Sequence, residues 1–297
     1  MIARKPQPAH RRGSNVRHRR LRAVPASSVG EELRVFTGGQ RIRVNLRRGT
    51  GVPLVLCNGI GASLEVLDPL VEQLNPDSTV VRFDVPGTGG SPTSVAPYGF
   101  PYLAWVLGRA LSKLEIGMVD VLGLSWGGAL AQQFAFQNPR RCRRLVLVAT
   151  GTGVLMVPAR LGVLAKMVTP RRFSDPDYAA SIAGELYGGT VRTHGDDVAR
   201  LFAQQLRAGS KIGYMHQLLA GSVWTSLFAL PAVRQEALIV TGTDDPIIPV
   251  ANARIMHALL PHSRLHLHPG GHIDLVHNAR ELAPVIDGFL HEPGERP

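Results

Sequence analysis

The chain has little cysteine and no long apolar run. Cys57 and Cys142 are its only cysteines in 297 residues, which excludes a disulfide framework or a cysteine-rich zinc site and fits a reducing compartment. No apolar run reaches the roughly 18 residues that a membrane span requires. With 44% hydrophobic and 19% charged residues, the composition is that of a globular protein with ample material for a buried core.

Acidic residues are absent from the first 24 positions, which hold eight lysines and arginines. These eight account for most of the net charge of +11, so the rest of the chain is close to neutral. The segment lacks the apolar stretch of a secretory signal. We expect residues 1–30 to form a basic, disordered tail whose charge suits contact with an anionic surface.

The centre of the sequence contains a serine in a G-x-S-x-G motif, Gly123-Leu124-Ser125-Trp126-Gly127. An apolar strand is predicted before it, from Val119 to Leu124, and helical spacing of apolar residues begins at Trp126. The motif alone is weak, since a random chain of this composition would contain roughly 0.2 matches. A serine on a tight strand-to-helix turn, however, has a strained backbone and exposes its hydroxyl above the sheet. This setting favours Ser125 as a nucleophile over an ordinary turn residue.

Strands alternate with helices on both sides of this motif. The predicted strands are 33–37, 41–46, 53–57, 79–83, 119–124, 145–149, 237–241 and 264–268, and the predicted helices include 63–74, 101–114, 250–260 and 279–290. This alternation predicts an α/β fold with a mostly parallel, eight-stranded sheet and helices on both faces. Ligands of such sheets bind beyond the carboxyl ends of the strands, where we expect 58–61, 84–91 and Ser125 to converge.

The alternation stops between residues 152 and 230, where the sequence is apolar and helix-like. About 80 residues are too many for an ordinary loop. We therefore predict a helical cap over the site at 152–230, inserted into a core made of 31–151 and 231–292. Most apolar side chains of the cap are expected to pack it onto the core, and the excess would face an acyl substrate.

A serine nucleophile needs a base to take its proton and an acid to orient that base. In this type of fold the acid and then the histidine follow on loops after later strands. His272 is the histidine that lies in a glycine-flanked loop just past a strand. Asp244 and Asp245 follow the preceding predicted strand, and the residues alone leave the choice between them open. The backbone N–H groups of Ile60 and Trp126 are the expected donors to the oxyanion.

A metal site is the main alternative for the histidines near the end of the chain. His266 and His268 alternate along one predicted strand, so they share a face and could hold zinc together with His272. No nearby carboxylate or thiolate was recognised that would complete the site. We therefore expect neither a metal ion nor an organic cofactor.

Several segments resemble the α/β-hydrolase superfamily: NGIGAS, FDVPGTGGSP, GLSWGGALAQQFA, GTDDPIIP and GGH. Over about residues 33–290 the chain resembles, more closely, the intracellular poly(3-hydroxyalkanoate) depolymerases that act on medium-chain-length polymers. The cap segments TPRRF, LYGG, KIGYMHQLLAG and WTSL are the more specific part of this resemblance, because caps vary widely across the superfamily.

The resemblance implies a serine esterase that needs no cofactor. By the family pattern Ser125 is the nucleophile, Asp245 of G-x-x-D-x-x-x-P is the acid and His272 is the base. The implied substrate is a polyester granule or another hydrophobic ester, and the implied location is the cytoplasm, at storage granules. The arginine-rich tail departs from the family pattern, as does His216, which stands where relatives look aromatic.

Two other classes of function stay open at this point. A general carboxylesterase, a lipase or a carbon–carbon bond hydrolase would use the same three residues. A non-catalytic protein on the same fold would bind granules or nucleic acid through its tail, and the intact Ser-His-Asp set argues against it.

Overall fold

The computed structural model describes residues 30–169, 175–192 and 209–293. Their strands are β1 (Glu31–Thr37), β2 (Gln40–Arg47), β3 (Thr50–Cys57), β4 (Ser78–Phe83), β5 (Val119–Leu124), β6 (Cys142–Val148), β7 (Glu236–Gly242) and β8 (Ser263–His268). The eight strands form one sheet in the order β1-β2-β4-β3-β5-β6-β7-β8. The pairs β1/β2 and β2/β4 are antiparallel and all other pairs are parallel. The predicted mostly parallel, eight-stranded sheet is confirmed, whereas the predicted tail lies outside the described residues.

Helices cover both faces of the sheet, as predicted. They are α1 (Asp68–Gln73), α2 (Phe100–Lys113), α3 (Trp126–Gln137), α4 (Leu161–Val168), α5 (Pro176–Tyr187), α6 (Lys211–Ser222), α7 (Val250–Leu259), α8 (Asp274–His277) and α9 (Ala279–His291). Side chains of β3 alternate between two apolar clusters, one with α1 and α9 and the other with α2, α3 and α7. Burial of both faces explains why residues 53–57 of β3 and 121–124 of β5 are continuous apolar runs.

One helix differs from the prediction for residues 63–74. The chain forms a short 3₁₀ turn, Leu64–Leu67, before α1. Pro69 is the reason, because it has no N–H to donate to the carbonyl four residues earlier and is favoured in a first helical turn. The α-helical hydrogen bonds therefore begin only around Pro69.

Between β6 and β7, in the segment predicted to be a cap, the structure describes α4, α5 and α6. We use the word cap for residues 152–230. The apolar stretch from Val154 was expected to be helical, but α4 begins only at Leu161. Pro158 accounts for the difference, since a proline disfavours helical backbone in the residue before it. Asn252 of α7 hydrogen-bonds to both the N–H and the carbonyl of Val157 and so ties this stretch to the core. The predicted helical segment at 195–208 lies outside the described residues.

A buried arginine connects the antiparallel edge of the sheet to the loops at its carboxyl end. Arg43 of β2 is only 2% exposed, and its guanidinium lies 2.6 Å from Glu65, 2.7 Å from Glu32 and 3.3 Å from Asp84. Its strand partner Arg34 of β1 is 47% exposed and pairs with Glu32 at 2.9 Å. Two arginines in register therefore differ mainly in burial.

We predict that Arg43→Leu lowers the free energy of unfolding by about 3–5 kcal/mol, because it leaves buried carboxylates without their cation. The matched variant Arg34→Leu should cost less than about 1 kcal/mol, since its ion pair is exposed to solvent. Urea unfolding followed by circular dichroism measures both. Equal losses in the two variants would contradict this account.

Candidate active site

Ser125 lies on a strained turn between β5 and α3. Its φ of 53° and ψ of −118° are unusual for a residue with a side chain, and such backbone costs about 1–3 kcal/mol unless its surroundings enforce it. Here the N–H of Ser125 donates to the Val148 carbonyl at 2.9 Å, and the Ser125 carbonyl accepts from the Thr150 hydroxyl at 2.7 Å. The end of β6 and the residues after it thus hold the turn in place.

Close packing of backbone explains the glycines of the motif. A Cβ at Gly123 would overlap the carbonyl oxygen of Gly127, at the start of the helix. A Cβ at Gly127 would overlap the carbonyl oxygens of Cys57 and Asn58, at the end of β3. Gly127 therefore brings α3 against the loop after β3, as well as against its own strand.

Ser125, His272 and Asp245 form a continuous row of hydrogen bonds. The Ser125 Oγ lies 2.9 Å from the His272 Nε2, and the His272 Nδ1 lies 2.8 Å from the Asp245 Oδ2. The other carboxylate oxygen of Asp245 accepts from the N–H groups of Ile247 and Ile248, at 2.8 and 2.9 Å. Asp245 is thereby oriented toward the imidazole. The arrangement has the geometry in which a histidine takes a proton from a serine hydroxyl.

The cap contacts the loops that carry this histidine and aspartate. The N–H of His272 donates to the carbonyl of Tyr187, the last residue of α5, at 2.7 Å. Apolar side chains of α5, including Leu186, pack with Ile247, Ile248 and Ile273. The position of His272 therefore depends on the cap as well as on the strand that precedes it.

Asp244, the neighbour of Asp245, points away from the histidine and binds the cap. Its carboxylate accepts from the Arg192 guanidinium at 2.7 and 3.0 Å and from the Gly189 N–H at 2.7 Å. The hydrogen bond from Arg192 lowers the pKa of Asp244. The structure thus separates two carboxylates that the residues alone did not distinguish.

The two predicted oxyanion donors lie near the serine. Ile60 lines a pocket together with Ser125 and His272. Trp126 is the first residue of α3, and the first N–H groups of a helix have no partner within it. The loop that carries Ile60 is braced by Asn58, whose side chain donates to the Ser63 carbonyl at 2.6 Å and accepts from the Gly59 N–H at 2.8 Å.

The pocket beside Ser125 has a volume of about 50 Å³ and is mostly apolar. That is room for roughly three or four water molecules. Its wall combines core residues with two cap residues, and it consists of Asn58, Gly59, Ile60, Leu124, Ser125, Met167, Tyr187, Ile247, His272 and Ile273. A carbonyl carbon placed in it would lie within reach of the Ser125 hydroxyl.

The loop at 84–91 lies beside the loop after β3, at the end of the sheet where we expected the loops to converge, and supports its neighbours there without lining the pocket at Ser125. Asp84 is fully buried and accepts from the N–H groups of Leu64 and Gly90 at 2.8 and 2.7 Å. Burial raises the pKa of Asp84 to about 6. The carbonyl of Gly87 accepts from the Ser210 N–H at 2.9 Å, just before α6. This loop positions the cap and the loop after β3.

Of the histidines considered as an alternative metal site, His268 lies near a carboxylate. The carboxylate of Asp274, two residues after His272, lies with its Oδ2 4.0 Å from the His268 Nδ1. Burial lowers the pKa of His268 and raises that of Asp274. Among the residues that the structure describes, no three histidine, cysteine or acidic side chains are grouped so that they could hold a metal ion.

Comparison with known proteins identifies the family. A family model of the alpha/beta hydrolase fold matches residues 52–279. The chain belongs to this family. It is 45% identical over 259 residues to a poly(3-hydroxyalkanoate) depolymerase of Ectopseudomonas oleovorans, which covers 86% of this chain and 91% of that protein. The expected resemblance is therefore confirmed, and the protein is an ester hydrolase.

Two further matches agree with this fold. The chain is 28% identical over 274 residues to a 2-hydroxy-6-oxo-2,4-heptadienoate hydrolase of Pseudomonas putida, which covers 86% of this chain and 95% of that protein. An esterase of Exiguobacterium antarcticum has a TM-score of 0.77 at 19% identity and covers 88% of this chain and 100% of its own. Within residues 30–169, 175–192 and 209–293, none of the helices combines the length and the apolar composition of a membrane span.

We predict that Asp245→Asn and Asp244→Asn separate the roles of the two neighbouring carboxylates. Asp245→Asn should lower kcat on a soluble ester such as p-nitrophenyl octanoate by about 10³–10⁴-fold, because the imidazole loses the acid that sets its tautomer. Asp244→Asn should lower it less than about fivefold, because the pair with Arg192 is nearly half exposed to solvent. Similar losses in both variants would show that Asp244 does more than hold the cap.

Proposed function

We propose that this hydrolase cleaves the backbone esters of a medium-chain-length poly(3-hydroxyalkanoate), in the cytoplasm and at the storage granule. The observation that carries the proposal is the 45% identity to a depolymerase over 86% of the chain. An alignment over 86% of the chain must include most of the cap. The cap is the part of the chain that varies in this superfamily. The hydrogen-bonded row at Ser125 supports the reaction type.

In the first half of the proposed reaction, His272 Nε2 accepts the proton of the Ser125 hydroxyl while Oγ attacks the ester carbonyl carbon. The carbonyl oxygen becomes an oxyanion and receives hydrogen bonds from the N–H groups of Ile60 and Trp126. Asp245 stabilises the imidazolium that forms. The carbon–oxygen bond of the ester then breaks, and His272 returns the proton to the departing hydroxyl end of the polymer.

The second half releases the acyl group from the enzyme. A water molecule gives a proton to His272 and attacks the acyl carbon, and the bond to the Ser125 Oγ breaks as the serine recovers that proton. The product is a 3-hydroxy acid or a short oligomer. Each step uses only side chains and N–H groups of this chain, together with water.

The apolar pocket wall supports an acyl substrate with an alkyl side chain. Met167, Ile247 and Ile273 present aliphatic groups near Ser125. A pocket of about 50 Å³ is too small for a whole medium-length alkyl chain. Met167, an unbranched and adaptable side chain on the cap, is the residue whose rotation would best enlarge it.

We predict that Ser125→Ala abolishes release of 3-hydroxy acids from amorphous medium-chain polymer, measured by chromatography of the soluble products. The substitution removes the attacking oxygen and leaves the fold in place, so circular dichroism should be unchanged. Wild-type protein that is active on soluble esters but inactive on polymer would contradict the substrate and leave the reaction type intact.

We predict that Met167→Ala shifts the preferred acyl length of p-nitrophenyl esters upward by about two carbons, since a shorter side chain enlarges the pocket. Met118→Ala is the matched control. Met118 is exposed and directly precedes β5, so it lies where this strand begins, at the end of the sheet opposite Ser125. An unchanged profile of kcat/KM against chain length in Met167→Ala would show that the acyl group binds elsewhere.

A carbon–carbon bond hydrolase is the second candidate, favoured by the 28% identity to the Pseudomonas putida enzyme. A panel containing that enzyme's dienoate substrate, soluble esters and polymer distinguishes the two candidates. Labelling of Ser125 by a fluorophosphonate tests the non-catalytic alternative, which requires that no label attaches.

A further inference from the structure

One face of α6 is apolar and exposed to solvent. Four apolar residues recur at intervals of three and four, which places them on one side of the helix. They are Ile212, Met215 and Leu219 of α6 and Val223, which directly follows it. They are between 47% and 71% exposed. We call these four residues the cap stripe. Aliphatic side chains arranged in a row on a surface indicate a partner more often than isolated ones do.

The opposite face of α6 rests on the loops of the active site. The Gln217 side chain accepts from the Gly61 N–H at 2.9 Å, and the Gln217 carbonyl accepts from the Trp126 indole at 3.0 Å. Gly213 lies against Gly87 so closely that a Cβ on either would overlap the other. The helix is thus fixed by its polar and small residues, and its large aliphatic residues are left outside.

The apolar surface continues beyond the helix. The Val154 N–H donates to the Trp224 carbonyl at 2.8 Å, which places exposed Val154 beside the end of the cap stripe. Of the fifteen large apolar side chains that are exposed in the described residues, nine lie in the cap, which supplies under a quarter of those residues. The concentration is therefore a property of the cap and not of the whole surface.

The charge of this surface restricts what can cover it. The segments 145–159 and 212–233 hold no aspartate, glutamate, lysine or arginine. Exposed cations bound them: Arg160, Arg234 and Lys211, which lies four residues before Met215 in α6. Anionic membranes and nucleic acids are bound through lysine and arginine. A neutral partner rich in alkyl groups complements the middle of this surface, where Met215, Leu219, Val223 and Val154 are exposed without a charged residue in their own segments. A polyester of 3-hydroxy acids carries alkyl side chains and uncharged esters. It is a solid, so the enzyme must adsorb to it before a polymer chain can reach Ser125.

We propose that the cap stripe is the surface by which this enzyme adsorbs to solid polyester, with the active site directly beneath it. This inference rests on the proposed function and extends it from the reacting bond to the solid phase. Adsorption through the outer face of α6 places the loops at Ile60 and Ser125 next to the polymer. It uses none of the residues that perform the chemistry.

The test uses the full chain with the paired substitution Met215→Gln and Leu219→Gln, which keeps side-chain length and helix propensity. In a Ser125→Ala background, adsorption to a suspension of amorphous medium-chain polymer should weaken by about tenfold or more. With Ser125 intact, kcat/KM on p-nitrophenyl octanoate should stay within about twofold of the parent, whereas the rate on dilute polymer should fall with adsorption.

The control is Met118→Gln with Phe136→Gln, which removes two comparably exposed apolar side chains outside the cap. Met118 directly precedes β5, and Phe136 lies near the end of α3. This control should leave adsorption unchanged. Equal losses in the two pairs, or no loss in Met215→Gln with Leu219→Gln, would overturn the proposal. Two further results would overturn it. One is that the protein forms a dimer and that Met215→Gln with Leu219→Gln dissociates this dimer. The other is that the protein adsorbs to phosphatidylcholine vesicles as tightly as to polymer. Either result would show that the surface binds another partner. Protein that adsorbs through the stripe but releases no acid would contradict the proposed function alone.

Discussion

Contact between Gly127 and the carbonyl groups at the end of β3 is the constraint on which the site depends. Because no Cβ fits between them, α3 begins against the loop that contains Ile60. Ser125 precedes this contact by two residues, and the end of β6 holds its strained backbone through the bonds to Val148 and Thr150. Together the contact and these bonds place the proposed nucleophile beside the loop whose N–H group is proposed to stabilise the oxyanion.

The cap is joined to the core by hydrogen bonds at the active site and not by apolar packing alone. The His272 N–H binds the last carbonyl of α5, the Asp244 carboxylate binds Gly189 and Arg192, and Gln217 of α6 binds the loop after β3. Each of these bonds links a cap element to a loop that holds a residue of the Ser-His-Asp row or of the proposed oxyanion site. Displacement of the cap would accordingly disturb the geometry of the row as well as open the pocket. This coupling is a physical reason for the cap to influence rate as well as substrate choice.

Much of the sheet was predictable because strands buried on both faces are apolar without interruption, and glycine or proline marks their ends. Ser125 could be selected because it follows such a strand in a glycine-bounded turn, and His272 because it stands in a glycine-flanked loop just past β8, although β8 itself is only partly buried. Contacts between residues distant in sequence could not be predicted. Arg192 lies 52 positions from Asp244, and nothing in the local sequence of either residue indicates the other. For the same reason the sequence could not show that Asp84, in a loop expected to converge on the site, is fully buried beside Arg43 and supports two loops.

Charge is distributed unevenly along the sequence. The first 24 residues hold most of the net charge, whereas the segments 145–159 and 212–233, which carry eight of the nine exposed apolar side chains of the cap, hold none. The attraction between a basic segment and an anionic surface acts over several ångströms and weakens with salt, whereas aliphatic contact acts only at short range and is not screened by salt. Adsorption of this enzyme through the cap should for that reason depend on the alkyl content of the surface and little on ionic strength. The aliphatic side chains of the cap thus suit an uncharged ester surface, whereas the composition of the first 24 residues suits an anionic one.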